Sequence, residues 1–234
     1  MIKIYPAESR FTADYGWLRT SHSFSFSEYY DPNNIHFGVL RVLNDDFVKP
    51  NRGFGTHPHR DMEIVSIVLK GQLKHEDSTG GSGVLRFGEI QRMTAGTGVF
   101  HSEYNPSASE EVNFLQLWFF PEELGLTPSY EHIAFSPEGL KNQLLPIVSK
   151  RLHAPNVAYI HQDLTIYLSR LEAGKSLTFQ QEPERKIFLF VIEGGVQLNG
   201  EKKLKKRDSA RIQEISKLKI TAVSDAFFML IDLI

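Results

Sequence analysis

The chain of 234 residues contains no cysteine. Disulfide bonds and thiolate metal sites are therefore excluded, which leaves histidine and carboxylate side chains as the strong metal ligands. The absence of cysteine also fits a reducing compartment. The first residues lack the apolar core of a secretory signal, and no apolar run approaches the roughly 20 residues of a membrane span. We therefore expect a cytoplasmic protein that does not cross a membrane.

Neither sign of charge is in large excess, since 26 Lys and Arg oppose 28 Asp and Glu. Nucleic-acid binding normally requires a basic excess, so we expect no direct nucleic-acid contact. The only charge cluster is residues 202–207, Lys-Lys-Leu-Lys-Lys-Arg, directly after the hairpin signal Asn199-Gly200. Lysines there either protect an exposed edge strand from aggregation or form a patch for an acidic partner.

Helical periodicity is also scarce. Short runs of alternating apolar residues are separated by clusters of Gly, Asn, Asp and Pro, which is typical of β-sandwiches and β-barrels. Residues 112–119 read as a strand buried on both faces. One short helix is predicted at 136–140, where a serine precedes a first-turn proline. Its surroundings, about 121–146, read as a connection between two domains.

Two pairs of potential metal ligands are the most informative feature that is present. They are His57-Pro58-His59 and His101-Ser102-Glu103, each with spacing i, i+2. On a strand this spacing places both side chains on one face. Two such strands facing each other across a barrel would bring three imidazoles and one carboxylate together, a set that suits a divalent transition metal. In the competing interpretation these histidines lie on the surface beside glycine-rich turns.

Longer motifs accompany the two pairs. They are residues 15–18, 22–26, 29–32, 40–46, 54–64 and 102–106. In these motifs the chain resembles the pirin family of the cupin superfamily, most specifically over residues 1–125. The resemblance implies an all-β bicupin with two jelly-roll-like β-barrel domains. We expect a metal-binding N-terminal barrel at 1–125, a connecting segment at 126–146 and a C-terminal barrel without metal at 147–234.

An internal repeat supports the two-barrel interpretation. Aligning Gly194 with Gly71 matches two hydrophobic strands that each end in glycine. The alignment places Gln180 and Glu182 at the positions of the first histidine pair. Lys186 then falls near the corresponding site, where its positive charge would repel a cation. The second barrel is therefore expected to have a structural role.

The resemblance also implies which residues bind the metal. Many cupins use a glutamate four residues after the second histidine, here Glu63, whereas pirin-like proteins use the position of Glu103. We therefore expect His57, His59, His101 and Glu103 as ligands. Glu63 remains a candidate for orienting a ligand imidazole through its other ring nitrogen.

Two further residues are candidates for substrate contact. His22 lies in an aromatic segment whose alternate side chains could line the mouth of the barrel, and Phe54 lies beside the first ligand pair. The other histidines have no partner at ligand spacing and are expected to be surface or hydrogen-bonded residues: His36, His75, His132, His153 and His161.

The resemblance implies quercetin 2,3-dioxygenase activity, with O₂ and a small aromatic flavonol as substrates and release of carbon monoxide. Glu103 would act both as ligand and as catalytic proton acceptor. Iron is the expected metal, and nickel, cobalt, manganese, copper and zinc are compatible with the same ligands. The alternative is a pirin-like metal- or redox-sensing cofactor without enzymatic activity that docks to a partner protein.

Overall fold

The computed structural model describes residues 1–234, and strands dominate it. Its two helices are short 3-10 turns, Ala7–Ser9 and Pro137–Leu140, the second at the predicted position. No helix is long and apolar enough to span a bilayer. The strands are β1 Ile2–Tyr5, β2 Phe11–Asp14, β3 Leu18–His22, β4 Leu40–Val48, β5 Gly53–His59, β6 Glu63–Lys70, β7 Leu73–Asp77, β8 Ser82–Leu85, β9 Glu89–Thr94, β10 Val99–Tyr104, β11 Val112–Phe119, β12 Ser129–Ala134, β13 Leu145–Ser149, β14 Leu164–Leu171, β15 Ser176–Gln180, β16 Lys186–Glu193, β17 Gly195–Leu198, β18 Lys202–Lys205, β19 Ser209–Gln213, β20 Lys217–Ala222 and β21 Ala226–Leu233.

The chain forms two compact units. The N-terminal unit comprises Phe11–Phe135 and Ala154–Gln162. The C-terminal unit comprises Met1–Arg10, Ser136–His153 and Asp163–Ile234.

These units differ from the expected boundaries at two strands and at the segment Ala154–Gln162, which was expected in the C-terminal barrel but belongs to the N-terminal unit. β1 pairs with β19, for example through Ile2 and Ile212, so the first residues belong to the C-terminal unit. β12 lies within the expected connection 126–146 but pairs with β9 in the N-terminal unit. β1 and β19 lie at opposite ends of the chain, and β10 and β11 lie between β9 and β12. Pairings between segments that are not neighbours in sequence leave no local signal.

The N-terminal unit consists of two antiparallel sheets. Seven strands follow the order β12-β9-β6-β11-β4-β3-β2, and four follow the order β5-β10-β7-β8. The central strands β4, β6 and β11 are buried along almost their whole length, as expected for residues 112–119. One apolar cluster joins both sheets, since Val68 and Phe114 of the larger sheet pack with Leu73 and Leu85 of the smaller.

The C-terminal unit repeats this plan. Six strands follow the order β1-β19-β16-β21-β14-β13, and four follow the order β15-β20-β17-β18. Its core also draws on both sheets, including Leu189 and Leu230 from the first and Val196 and Ile220 from the second. β18 lies at a sheet edge with its lysines exposed, which agrees with the edge-strand interpretation of 202–207.

The fold is therefore an all-β bicupin, but its sheets are open and do not close into barrels. Each unit consists of two packed sheets. The chain crosses between the sheets of the N-terminal unit several times, and at the crossing from β5 to β6 Asp61 adopts a left-handed conformation with φ of 48°.

Candidate metal centre

The two ligand pairs lie on neighbouring strands of one sheet. β5 and β10 pair antiparallel, with His57 opposite His101 and Val99 opposite His59. The prediction that the pairs face each other across a barrel is therefore wrong, because the strands are adjacent partners. A β-bulge follows His101 and shifts the register so that Glu103 stands opposite Phe54. Adjacent pairing still brings the imidazoles of both strands together.

The three imidazoles converge through their Nε2 atoms. The Nε2 atom of His101 lies 2.9 Å from that of His57 and 2.8 Å from that of His59. One ligand nitrogen from each of these residues therefore belongs to a single cluster in which all such atoms lie within 4.8 Å of one another. His59 and His101 are buried, whereas His57 is half-exposed.

The backbone determines the tautomer of the neutral His57 imidazole. Its Nδ1 atom lies 2.8 Å from the carbonyl oxygen of Gly55. A carbonyl only accepts hydrogen bonds, so Nδ1 of His57 carries the proton and Nε2 presents a lone pair. The converging nitrogen of His57 is therefore in the form that binds a cation.

Burial keeps the other two imidazoles, His59 and His101, neutral. Burial lowers the pKa of His59 to about 4, with a further contribution from His57. Burial lowers the pKa of His101 to about 2, and the neighbouring imidazoles add to this. A metal binds the neutral imidazole, so the environment keeps these side chains ready as ligands.

This donor set fits a divalent metal. Nitrogens bound about 2.0–2.1 Å from one ion at roughly a right angle lie about 2.9 Å apart. The observed separations of 2.8 and 2.9 Å agree with that value. Imidazole ligands without thiolates suit iron, nickel, copper or zinc.

Glu103 lies beside this cluster in a polar pocket of its own. Its Oε1 atom is 3.0 Å from Ser66 Oγ and 3.3 Å from Gln91 Nε2, and Gln116 Nε2 donates to Oε2 at 2.6 Å. Burial raises the pKa of Glu103 to about 7, against the effect of these hydrogen bonds. The carboxylate forms a second group of potential ligands with His75 and His101, within 4.8 Å of one another. The fold therefore brings Glu103 next to His101.

Glu63 occupies a different place. It is fully buried at the start of β6, and its Oε2 atom accepts a hydrogen bond from the backbone N–H of His161 at 3.0 Å. It belongs to neither group of potential ligands. On a straight strand Glu63 would share a face with His57 and His59, because their positions differ by even numbers of residues. The left-handed residue Asp61 interrupts the strand, so Glu63 does not lie with the two histidines. Glu63 contacts the segment 154–162 within the N-terminal unit.

His22 and Phe54 both line a cavity of about 270 Å³ in the N-terminal unit. Aromatic contacts connect this cavity to the histidines. The rings of His22 and Phe26 are 5.2 Å apart, those of Phe26 and Trp118 are 5.2 Å apart, and Trp118 lies 4.7 Å from His59. Both substrate candidates thus line one cavity, and the rings of Phe26 and Trp118 connect His22 with His59.

The sequence interpretation missed the importance of His75. This residue is fully buried, stacks on Tyr130 and lies 3.3 Å from His101 between their Nδ1 atoms. The motif His75-Glu76-Asp77 has the same i, i+2 spacing as the two ligand pairs, so a signal was present. The remaining four histidines of that group are exposed or half-buried.

Asp46 was also missed. It lines the same cavity as His22, and burial raises its pKa to about 7. It is the last of three consecutive polar residues in β4, Asn44-Asp45-Asp46, and the local sequence does not show that its side chain lines a cavity.

Comparison with known proteins gives consistent results for both halves. The family model described as Pirin matches residues 5–119, and the model described as Quercetinase C-terminal cupin domain matches residues 147–233. A curated Escherichia coli K12 protein named quercetin 2,3-dioxygenase is 40% identical over 233 residues, covering 100% of this chain and 99% of that protein. A Caulobacter vibrioides pirin-like protein is 37% identical, covering 99% of each.

Solved structures agree. The crystal structure of Escherichia coli YhhW has a TM-score of 0.95 at 40% identity and covers 100% of this chain and 98% of its own. A structure of bacterial pirin YhhW in complex with nickel(II) has a TM-score of 0.93 at 39% identity, covering 100% and 99%. The chain therefore belongs to the pirin family.

Proposed function

We propose that this protein is a metal-dependent dioxygenase that opens the heterocyclic ring of a flavonol such as quercetin and releases carbon monoxide. The observation that carries the proposal is the convergence of three imidazole Nε2 atoms at 2.8 and 2.9 Å. Full-length relatives named quercetin 2,3-dioxygenase at 40% identity support the choice of reaction.

The metal would be held by His57, His59, His101 and Glu103. A bound ion would polarise the substrate hydroxyl and supply the redox chemistry with O₂. Iron is the metal we propose, and the nickel(II) complex of a relative supports a divalent ion in general. Four protein ligands leave further positions open on a metal that accepts six.

Glu103 would accept the proton of the flavonol 3-hydroxyl. Three polar side chains already fix its orientation, while a carboxylate offers about four sites for hydrogen bonds. One site therefore remains for a metal or a substrate proton. Its surroundings exclude water, because Glu103 is only 2% exposed. A proton acceptor held in this way needs no rearrangement when the substrate arrives.

The cavity lined by His22 and Phe54 would hold the flavonol. Trp17 meets the ring of Phe54 edge-to-face at 5.4 Å, and Phe26 completes the aromatic lining. Aromatic side chains suit a planar aromatic molecule, and polar side chains such as Asn44 and Asp46 also line the cavity. Its volume of about 270 Å³ lies just below the typical range of about 300–1,000 Å³ for ligand pockets.

The overall reaction balances without another reactant. Dioxygen adds across C2 and C4 of the flavonol, the two carbon–carbon bonds to C3 break, and C3 leaves with its oxygen as carbon monoxide. Both atoms of O₂ remain in the ring-opened product. No external reductant is consumed.

The test is to load the purified protein with one equivalent of Fe(II) or Ni(II), add quercetin and follow O₂ uptake together with carbon monoxide release. We expect equal amounts of both gases. The control is His57→Ala, in which loss of an imidazole should lower metal content and activity in parallel. A metal-loaded wild-type protein that consumes no O₂ with quercetin would contradict the proposed reaction.

A further inference from the structure

Behind His101 lies the adjacent strand β7, which carries two residues with buried side chains, His75 and Asp77. β7 pairs with β10, placing His75 opposite Glu103 and Asp77 opposite His101. The Oδ2 atom of Asp77 lies 2.9 Å from His75 Nε2, and both side chains are completely buried. The Nδ1 atom of His75 lies 3.3 Å from Nδ1 of His101. Asp77, His75 and His101 thus form a continuous hydrogen-bonded series.

The direction of each hydrogen bond follows from Asp77. Its Oδ1 atom accepts from the Thr79 backbone N–H at 2.8 Å, the Thr79 hydroxyl at 2.6 Å and the Gly81 N–H at 3.0 Å. A carboxylate surrounded by donors is ionised and can only accept. Nε2 of His75 therefore carries a proton and donates it to Oδ2.

The same reasoning continues to the metal-ligand cluster. Since His75 is protonated on Nε2, its Nδ1 atom carries a lone pair and accepts from His101 Nδ1–H. His101 then has no proton on Nε2, the atom that lies 2.9 Å from His57 Nε2. In this arrangement the lone pair of His101 is directed at the other imidazoles.

We propose that Asp77 and His75 are positioning residues that hold His101 in the tautomer required for metal binding. The inference rests on the metal centre proposed above. Hydrogen bonds to the second nitrogen of a ligand imidazole set its tautomer and its basicity. Here a second histidine transmits the effect of a carboxylate that does not touch the ligand.

The neighbouring residues keep this series in place. A Cβ atom on Gly81 would lie 2.2 Å from Asp77 Oδ2, so only glycine allows the carboxylate its observed position. On the other side, the ring of Tyr130 stacks on His75 at 4.7 Å with an interplanar angle of 11°. Rotation of either side chain is therefore restricted.

The variant Asp77→Asn should reverse the direction of the hydrogen bonds in the series with little change in side-chain shape. The three donors around Oδ1 require an acceptor, so the asparagine oxygen takes that position and its NH₂ group faces His75. Nε2 of His75 must then accept, which moves the proton of His75 to Nδ1. His101 must in turn accept on Nδ1 and carry its proton on Nε2, where it blocks a metal.

Two measurements test this reversal. Nitrogen-15 NMR of the metal-free protein reports the tautomer of each histidine, and titration with Ni(II) reports metal affinity. We expect the Nδ1–H form of His101 in wild type and the Nε2–H form in Asp77→Asn. Nickel affinity should fall by about 10–100-fold in the variant. The control Thr79→Val removes one donor to Oδ1 but keeps the Asp77–His75 bond, and should retain both properties.

Several results would overturn the inference. One is an Nε2–H tautomer of His101 in the wild type, which can be measured even if Asp77→Asn does not fold. Another is wild-type nickel affinity in a folded Asp77→Asn protein with a reversed tautomer. If the wild type shows the expected tautomers but binds no nickel, the proposed metal centre fails while the hydrogen-bonded series stands.

The variant Gly81→Ala displaces Asp77 sterically and should also weaken nickel binding.

Discussion

Glu103 is held differently from the three histidines. Ser66, Gln91 and Gln116 contact its carboxylate. All three lie far from Glu103 in the sequence, so the i, i+2 spacing that identifies the ligand pairs does not reveal them. These contacts fix the carboxylate without consuming all of its acceptor capacity. Its proposed roles as ligand and as proton acceptor can therefore be separated by substitution.

We expect Glu103→Gln to retain metal but lose activity. The amide keeps an oxygen for coordination, and rotation of the Gln116 amide can accommodate the new NH₂ group. Glutamine cannot accept the flavonol proton, however, and general base catalysis contributes about 10²–10⁴-fold. Quercetin turnover should fall by that factor at matched metal occupancy. Turnover at the wild-type rate with bound metal would rule out the proton-acceptor role.

Glu63→Gln is the matched control. Glu63 is also buried, but its Oε2 atom accepts a hydrogen bond from the backbone N–H of His161, which a glutamine oxygen can accept equally well. Metal affinity should stay within a few-fold of wild type. If Glu63→Gln alone abolished metal binding, the ligand would be Glu63 instead of Glu103.

Asp46 should make stability depend on pH. Burial raises its pKa to about 7, Asp45 and Glu103 add to this, and a hydrogen bond from Thr20 opposes it. The folded state therefore holds a proton that the unfolded state has released above about pH 4. The free energy of unfolding falls as pH rises through this range, by at most about 4 kcal/mol.

The variant Asp46→Asn should remove this contribution. Its free energy of unfolding from urea titrations should exceed that of wild type at pH 8, and the advantage should shrink towards pH 5. An equal pH dependence in both proteins would show that Asp46 is ionised in the folded state.

The candidate ligands could be predicted from local spacing, whereas their tautomers could not. The i, i+2 pairs identify His57, His59 and His101 because strand geometry alone places such residues on one face. The tautomer of His57 depends on the Gly55 carbonyl, and that of His101 depends on another strand. These are contacts of the folded chain and have no signature in a single segment.

At the level of strands, the pairing of β5 with β10 assembles the site. Gly53 allows this approach, since a Cβ atom there would lie 2.3 Å from the Glu103 carbonyl oxygen and 2.5 Å from Tyr104 Cα. Both are backbone atoms that cannot move aside without separating the strands. Gly55 on the same strand has no atom within 4 Å of such a Cβ.

Gly53→Ala should therefore destabilise the protein and weaken metal binding, whereas Gly55→Ala should change neither by much. Overpacking of this kind costs typically about 1–3 kcal/mol. Urea unfolding and Ni(II) titration of the two variants provide the comparison. Equal behaviour of both variants would show that close pairing at Gly53 is not required.

Strand identity was easier to predict than strand partnership. The burial of β11 on both faces and the hairpin at Asn199-Gly200 follow from local pattern, and both are present. The pairing of β1 with β19, and the placement of β5 and β10 in one sheet, depend on contacts between distant segments. Local residues do not specify such contacts.

For the whole molecule, we expect asymmetry between the two units. The position corresponding to the first histidine pair lies at the end of β15, where Gln180 pairs with Lys217. Lys186 begins the following strand, so two positive charges lie on the elements that correspond to the metal site. Such surroundings disfavour a cation.

Metal analysis of the loaded protein should accordingly give one equivalent per chain. His57→Ala should lower this value, because the C-terminal unit offers no replacement site. Two equivalents per chain that both survive mild chelation would contradict the expected asymmetry.

The central claim is that His57, His59, His101 and Glu103 bind one metal ion. A crystal structure of the metal-loaded protein, with anomalous difference maps collected above and below the absorption edge of the metal, tests it most directly. We predict a single peak about 2.0–2.3 Å from the three Nε2 atoms and from a carboxylate oxygen of Glu103. A peak bound elsewhere, or one that contacts His75 in place of His57 and His59, would contradict the claim.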